Sequence, residues 1–300
     1  MKTVMVGFDG SDQARDALEL GATFADRLGG DLVVAVVDEL DLFAGEILGA
    51  KERAAYLEET LDLAARQLGE QQFEGKTTWG SVPECLDLIA SDVSADILVV
   101  GSTHRGEIGR VVPGSVGERL LAGAPCAVAV APNGYAHQEE APVERIGVGL
   151  DGEEESEAAL HLANEVAVAI SGSVRLIAVA PIGEELIPGR ISSTAPGYAR
   201  FVRDHLAGEL KRAMATSSPA IEIAEVLAEG DPAEVLCEQS RDLDLLVLGS
   251  RGYGPLRRVF LGGVASKVIR HASCPVLITP RSAQHARRHR AQETLASTVL

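Results

Sequence analysis

The chain has 300 residues, 46% of them hydrophobic, and a formal net charge of -17 at pH 7. The apolar content is enough for a packed core, and the length suggests about two domains. Such an acidic chain disfavours nucleic acid and anionic membranes as partners, and no run approaches the ~18 apolar residues of a membrane span.

Short apolar strands alternate with helical patterns along the first half of the chain. TVMVGF predicts a first strand, and DLVVAVV predicts a second one. Between them lies a predicted helix with Ser11 as its N-cap and the pair Gly29-Gly30 as its stop. The remaining predicted elements are helices over 51–69 and 85–92, the strand DILVVG, a helix over about 114–122 and the strand CAVAVA. Near-continuous apolar strands are typical of parallel sheets that are covered on both faces.

The second half of the chain repeats the first. DILVVGS matches DLLVLGS, and VGFDG near the start matches VGLDG in the middle. Gly101 and Gly249 are 148 positions apart, as are Gly114 and Gly262. In the second copy, helices are predicted over 153–170, 198–214, 233–241 and 262–270, among the strands RIGVGL, SVRLIAV, DLLVLG and CPVLIT. Two copies indicate a duplicated domain, because repeat arrays need at least three units.

The boundary between the copies lies in APNGYAHQEEAPVER (131–145), where Pro and Gly break structure and polar residues fill the space. We therefore predict one domain over 1–135, a second over 143–282 and a basic tail over 283–300. The tail is most simply a solvated end, and docking to the acidic body or to a partner is the alternative. The predicted fold class is α/β, with two tandem, doubly wound, Rossmann-like domains. Each would be an open parallel five-stranded sheet with strand order 3-2-1-4-5.

In such a sheet, ligands bind beyond the C-terminal strand ends, in the crevice between strands one and four. Asp9 and Asp151 end strand one in the two copies, and Gly101 and Gly249 end strand four. Two separated segments of each copy therefore converge on one crevice.

The loop after strand four leads into a helix that begins at Gly114-Ser115 or Gly262-Gly263. A helix N-terminus attracts anions, and glycine allows a phosphate to approach the backbone. Five arginines in these loops could supply positive charge: Arg105, Arg110, Arg251, Arg257 and Arg258. Glycines at a strand-to-helix turn also occur without any ligand, so the spacing alone leaves phosphate binding and plain turn architecture equally open.

Four motifs in the two copies carry a resemblance to a known family. The pattern Gly-x-x-Gly-x(9)-Gly-[Ser/Thr] follows an apolar strand, VGFDG and VGLDG close strand one, APC and ASCP open the last strand, and GDPAE stands before the third helix of the second copy. Together they resemble the universal stress protein family over essentially the whole chain before about residue 282. The resemblance implies that the protein binds ATP, either alone or together with Mg²⁺.

The resemblance also implies roles for individual positions. Asp9 and Asp151 would meet the adenine or ribose, the backbone near Val37 and Val179 would line the adenine, and the glycine loops would cradle the phosphates. The candidate cofactor-binding residues are Asp9, Val37, Gly101, His104, Arg105, Gly114 and Ser115 in the first copy and Asp151, Val179, Gly249, Arg251, Gly252, Gly262 and Gly263 in the second.

Each copy departs from the family pattern at one position. His104 stands where the first copy should have its second glycine, and its side chain would either crowd the phosphate path or donate to a phosphate. Gly263 stands where the family has Ser or Thr, which removes a hydroxyl but leaves the backbone donors. We therefore expect both copies to bind adenine nucleotide, and the second copy, which keeps Gly252, to be the better site.

The last strands, CAVAVA and CPVLIT, would be exposed sheet edges if each domain stood alone, and edges invite pairing. The resemblance implies that the two domains associate along these edges as a pseudo-dimer within one chain. Whether the chain then forms a homodimer stays open.

Motifs for other chemistries are missing from the sequence. It has no P-loop, no GxGxxG after strand one and no GxSxG, so we assign no catalytic residue. His285 and His289 are four apart, but the arginines around them would repel a metal ion. The four cysteines include no CxxC pair and are interpreted as reduced packing residues of a cytoplasmic protein.

Three functional classes follow from these observations. The first is a nucleotide-dependent stress-response regulator that acts on a protein partner of unknown identity. The second is a slow ATPase, for which His104 is the one candidate base. The third is an interaction module that has lost its nucleotide.

Overall fold

The computed structural model describes residues 2–39, 49–103, 109–111, 113–138, 143–180, 196–250 and 261–279. The first half contains β1 (Thr3–Gly7), α1 (Asp12–Leu28), β2 (Asp31–Glu39), α2 (Ala50–Leu68), β3 (Glu74–Gly80), α3 (Val82–Asp92), β4 (Ile97–Gly101), α4 (Ser115–Gly123) and β5 (Ala127–Ala131). The second half contains β6 (Arg145–Leu150), α5 (Glu154–Ile170), β7 (Ser173–Ala180), α6 (Pro196–Thr216), β8 (Glu222–Glu229), α7 (Pro232–Gln239), β9 (Leu245–Gly249), α8 (Gly263–His271) and β10 (Val276–Thr279).

The described strands form one sheet with the order β3-β2-β1-β4-β5-β10-β9-β6-β7-β8. Within each half the neighbours are parallel and follow the order 3-2-1-4-5, as predicted. β5 and β10 pair antiparallel, with Val276 opposite Val130. The two halves are therefore joined edge to edge, which confirms the predicted pseudo-dimer arrangement.

The apolar cores lie on the two faces of this continuous sheet. One face packs against α1, α2, α5 and α6, and the other against α3, α4, α7 and α8. β1 shows how a near-continuous apolar strand serves both faces, because Val4 and Val6 point into the first core and Met5 into the second. Each core extends across both halves, so hydrophobic burial links them.

The ends of α1 follow the predicted caps. The Ser11 hydroxyl accepts a hydrogen bond from the backbone N–H of Ala14 at 3.2 Å. Gly29 adopts the left-handed conformation with φ 59° and donates to the carbonyls of Ala25 and Asp26. These caps fix where the helix begins and ends behind β1.

The outermost strands, β3 and β8, were not located from the sequence. Their residues are mostly exposed or half-buried, and the sequences EGKTTWG and EIAEVLAE carry charges along the sheet edge. Charged residues on an edge strand discourage pairing with other chains. These strands have no run of apolar residues in the sequence, because an edge strand buries too little surface to require one.

The segment between the two halves is held against α1 by a buried carboxylate. Asp16 is 2% exposed and accepts backbone N–H groups from Gly134 and Ala136, both at 2.8 Å. Tyr135 between them is buried, within a short 3-10 helix over Tyr135–His137. Burial raises the pKa of Asp16, although these two hydrogen bonds oppose the shift. The described part of the linker, up to residue 138, is thus packed against α1.

Replacing Asp16 with alanine should lower the free energy of unfolding by about 2–4 kcal/mol, because two backbone N–H groups would lose a charged acceptor. Urea denaturation measures this change. Asp26→Ala is the control, since Asp26 is an exposed acid near the other end of the same helix. Equal effects of the two substitutions would show that Asp16 does not hold the linker.

Candidate functional site

A cavity of about 310 Å³ opens at the C-terminal ends of β1, β2 and β4 in the first half. Five predicted residues of the first copy line it: Asp9, Val37, Gly101, Gly114 and Ser115. The two others, His104 and Arg105, lie outside the described residues. Small-molecule pockets usually measure about 300–1,000 Å³, so this cavity suits part of a nucleotide or a compact ligand.

Asp9 forms the turn that connects β1 to α1. Its carboxylate accepts the backbone N–H of Ser11 at 2.9 Å, and Gly10 between them has φ 80°. Asp151 makes the same turn in the second half, with the N–H of Glu153 at 3.0 Å. Both aspartates therefore have a structural role at the crevice whether or not they also contact a ligand.

Gly101 is required by helix packing, whether or not it also contacts a ligand. A Cβ on Gly101 would lie 2.5 Å from the carbonyl carbon of Gln13 and closer still to its oxygen. Gly249 meets the backbone of Glu155 in the same way, with the carbonyl carbon at 2.5 Å. The first turn of the helix after strand one packs directly against the end of strand four, which gives both glycines a structural reason that is independent of any phosphate.

The N-terminus of α4 faces the cavity. Gly114 is the N-cap, with φ -78° and ψ 179°, and no side chain caps the first turn. An isolated bridge pairs Ser102 with Pro113, so the loop after β4 returns beside its own start. The backbone N–H groups of the first helical turn are consequently available to an anion at this position.

Two residues that line the cavity each have a buried polar atom without a hydrogen-bond partner among the described residues. The atoms are Oε1 of Gln13 and Oγ1 of Thr103. Buried polar atoms are normally paired, so an unpaired one beside a cavity favours a polar ligand. The sequence did not identify either residue. The one available signal was the position of Gln13 in the first turn after Ser11.

The described lining of the cavity carries two carboxylates, Asp9 and Glu39, and no arginine or lysine. A polyphosphate there would need a cation. Mg²⁺ is usually held by one or two carboxylates together with substrate phosphates, so this donor set fits a magnesium nucleotide better than a free one.

The described residues of the second half repeat these strand-end positions but differ in charge. Asp151, Gly249 and Gly262 occupy the positions that correspond to Asp9, Gly101 and Gly114. Val179 lies in β7, as Val37 lies in β2, so both precede the strand end rather than follow it. Gly263 begins α8, and an added Cβ would meet no atom within 4 Å. Arg251 and Gly252 lie outside the described residues.

The charge difference comes from the first turn of the helix that follows strand one. Glu153 and Glu155 stand where the first half has Ser11 and Gln13. Glu155 packs against Gly249 as Gln13 packs against Gly101. The second crevice is therefore bordered by additional acids, which oppose a polyphosphate.

The sequence suggested that Arg110 could supply positive charge to the cavity, but in the structure its side chain is directed to the other half. Its Nη1 donates to the carbonyl oxygen of His271 at 2.6 Å, at the C-terminus of α8 in the other half. A cation is favourable there because the helix dipole is negative at this end. Arg257 and Arg258 lie outside the described residues.

Cys126 and Cys274 are both 3% exposed and stand just before β5 and β10. Burial raises the pKa of the Cys274 thiol, so it stays protonated and unreactive. This agrees with their interpretation as packing residues.

The profile of the Universal stress protein family matches residues 1–132 and 142–280. The chain belongs to the universal stress protein family. The match comprises two copies of the family unit, in agreement with the internal repeat.

A universal stress protein of Mycobacterium tuberculosis is 31% identical over 192 residues, or 63% of each chain. The crystal structure of a universal stress protein from Archaeoglobus fulgidus is similar over 93% of this chain and 98% of that one, with a TM-score of 0.65 and 18% identity. One half of the chain is also similar to a universal stress protein in complex with cAMP, at 25% identity over 44% of this chain and 97% of that one, with a TM-score of 0.33.

The chain spans about two thirds of the length of the curated relatives that it matches. The structural likeness supports the fold that the sequence predicted. Among the described helices of this universal stress protein, none combines the length and the apolar character that a membrane span requires.

Proposed function

We propose that this universal stress protein binds ATP with Mg²⁺ in the first-half cavity and acts as a nucleotide-dependent stress-response regulator. The observation that carries the proposal is that several groups suited to a nucleotide line the same cavity. A helix N-terminus at Gly114 and a carboxylate at Asp9 line one cavity at the strand ends, together with Gln13 and Thr103, each of which has one polar atom without a hydrogen-bond partner among the described residues. These groups match the phosphate, ribose and cation of a nucleotide.

Different residues of the cavity would contact the phosphates, the adenine and the magnesium ion. The backbone N–H groups at Gly114 and Ser115 would hold phosphate, and the hydroxyl of Ser115 adds a donor. Val37, buried in β2, would lie beside the adenine, and Asp9 and Glu39 would favour the magnesium ion. No residue in this set is proposed to break a bond.

The charge pattern reverses the ranking of the two sites that the glycine motif suggested. Gly252 favours the second site, but Glu153 and Glu155 add negative charge to its border. Ser11 and Gln13 keep the first site neutral at the same positions. We therefore propose that the first site binds nucleotide more tightly.

The loop that borders the first cavity is tied to the linker and to the second half, which supports a regulatory role. The N–H of Gly109 donates to the carbonyl of Asn133 at 2.7 Å, and the N–H of Asn133 donates to the carbonyl of Arg110 at 3.0 Å. Arg110 in turn holds the end of α8. A ligand that repositions this loop would thereby change contacts between the halves.

We further propose that the domains extend over 1–135 and 143–282, followed by the basic tail, and that the protein is cytoplasmic. The four cysteines are free, which suits a reducing compartment. A regulatory protein partner or a second copy would sense the nucleotide state. Trp79 and Leu88, which are 60% and 71% exposed on β3 and α3, support such a contact surface.

Exchanging the charges of corresponding residues tests both the function and the ranking of the sites. Gln13→Glu should weaken magnesium-ATP binding about tenfold, and Glu155→Gln should strengthen binding at the second site by a similar factor, because each changes one charge beside the phosphates. Isothermal titration measures both affinities. If neither substitution changes the binding of ATP, nucleotide does not occupy these crevices.

A further inference from the structure

The linker shows how the chain leaves the last strand of the first half. After β5 it turns over α1, where Asp16 binds two of its backbone N–H groups. Ala136 and His137 then form part of the wall of a groove between α1 and α2. A segment that follows the last strand of this domain type can therefore pack on the first two helices.

The C-terminal segment 281–300 begins at the corresponding place in the second half. β10 is the antiparallel neighbour of β5, so the two strands end in equivalent environments. Pro280 follows β10 as Pro132 follows β5, and His285 stands 148 positions after His137. The segment itself lies outside the described residues.

The groove between α5 and α6 corresponds to the groove that the linker borders. It encloses about 330 Å³, and its lining includes Glu157, Asn164 and Glu209 together with His161 and Arg212. Arg212 forms an ion pair with Glu209, which leaves the negative charge of the groove mainly with Glu157. The amide Oδ1 of Asn164 is buried and has no hydrogen-bond partner among the described residues. The groove thus offers acceptors and the carboxylate of Glu157 to a segment with donors.

Charge complementarity points to the occupant. The segment 281–300 has a single acid, Glu293, and four arginines: Arg281, Arg287, Arg288 and Arg290. Glu154 lies in the same first turn of α5, three residues before Glu157, and adds negative charge on that side of the helix. Opposite charges at this density attract over about 10 Å at moderate salt.

We propose that segment 281–300 docks in the α5–α6 groove of the same chain, as the counterpart of the linker on α1 and α2. Its arginines lie against Glu157 and the acidic first turn of α5. The position that corresponds to Asp16 is Ala158, so no buried carboxylate holds this segment. Its docking depends on exposed charges and is therefore more sensitive to salt than the linker contact.

Hydrogen exchange of the full chain, followed by mass spectrometry, tests the proposal. At low salt, amides of residues 281–290 should exchange at least about tenfold more slowly than an unstructured peptide. Glu157→Lys and a rise to 0.5 M salt should each remove this protection. Glu58→Lys, the same charge change on an exposed face of α2, should leave it unchanged.

Three results would overturn the proposal. Unprotected amides in the unmodified chain would show that the segment does not dock. Protection that survives both Glu157→Lys and high salt would place it elsewhere. Protection that falls on dilution would show that the segment docks on a second copy.

Discussion

Gly101→Ala is expected to lower the free energy of unfolding by about 3 kcal/mol, because overpacking at this point would push backbone against backbone. The new Cβ would lie 2.5 Å from the carbonyl carbon of Gln13. A rigid helix turn cannot give way as a side chain can. The first turn of α1 would have to move off the end of β4, and the capping by Ser11 would move with it.

Denaturation in urea, with and without magnesium-ATP, separates this explanation from the ligand-based one. The packing account predicts that the full loss already appears without nucleotide, where no ligand contact can be lost. Gly123→Ala is the matched control, since its added Cβ meets no atom within 4 Å at the end of α4. That substitution should be neutral or stabilising by up to about 1 kcal/mol. A Gly101→Ala protein as stable as the control would contradict the packing account.

Gly114→Asp is expected to weaken magnesium-ATP binding at least about a hundredfold while the fold stays intact, because a like charge in a binding site costs several kcal/mol. The backbone of Gly114, with φ -78°, accepts any residue, and aspartate is a favourable N-cap. The added Cβ would approach only the methyl group of Thr103, at 3.2 Å. The carboxylate would bind the N–H groups that the phosphate needs.

Equilibrium dialysis with labelled ATP measures the affinity, and thermal denaturation checks the fold. Gly262→Asp is the control, since Gly262 caps α8 at φ -58° in the second half. It should leave the strongest site unchanged. Undiminished binding by Gly114→Asp would exclude the helix N-terminus as the phosphate site.

The fold was predictable from the sequence where burial is complete. β1 and β4 are apolar on both faces, so their patterns mark central parallel strands, and the repeat then implies the second sheet. β3 and β8 were not found because an edge strand alternates weakly and carries charge. The packing of Tyr135 and the role of Asp16 were not predictable either, since they depend on a path that only the folded chain defines.

The location of the candidate site was predictable from the sequence, but the physical reason for each residue in it was not. The glycine spacing pointed to the strand ends where Gly101 and Gly114 line a cavity, because glycine is needed wherever backbone passes close to backbone or ligand. It could not tell these two causes apart, and packing explains Gly101. Gln13 and Thr103 could be recognised as cavity residues only from the folded structure, where α1 and the loop after β4 lie side by side. Arg110 serves the contact between halves, which no local pattern reveals.

A crystal structure of the full chain grown with magnesium-ATP would test the central claim most directly. We expect electron density for the nucleotide in the first-half cavity, with phosphate at the N-terminus of α4 and a magnesium ion near Asp9 and Glu39. Density confined to the second half, or a first-half cavity that stays free of nucleotide at saturating concentration, would contradict the claim.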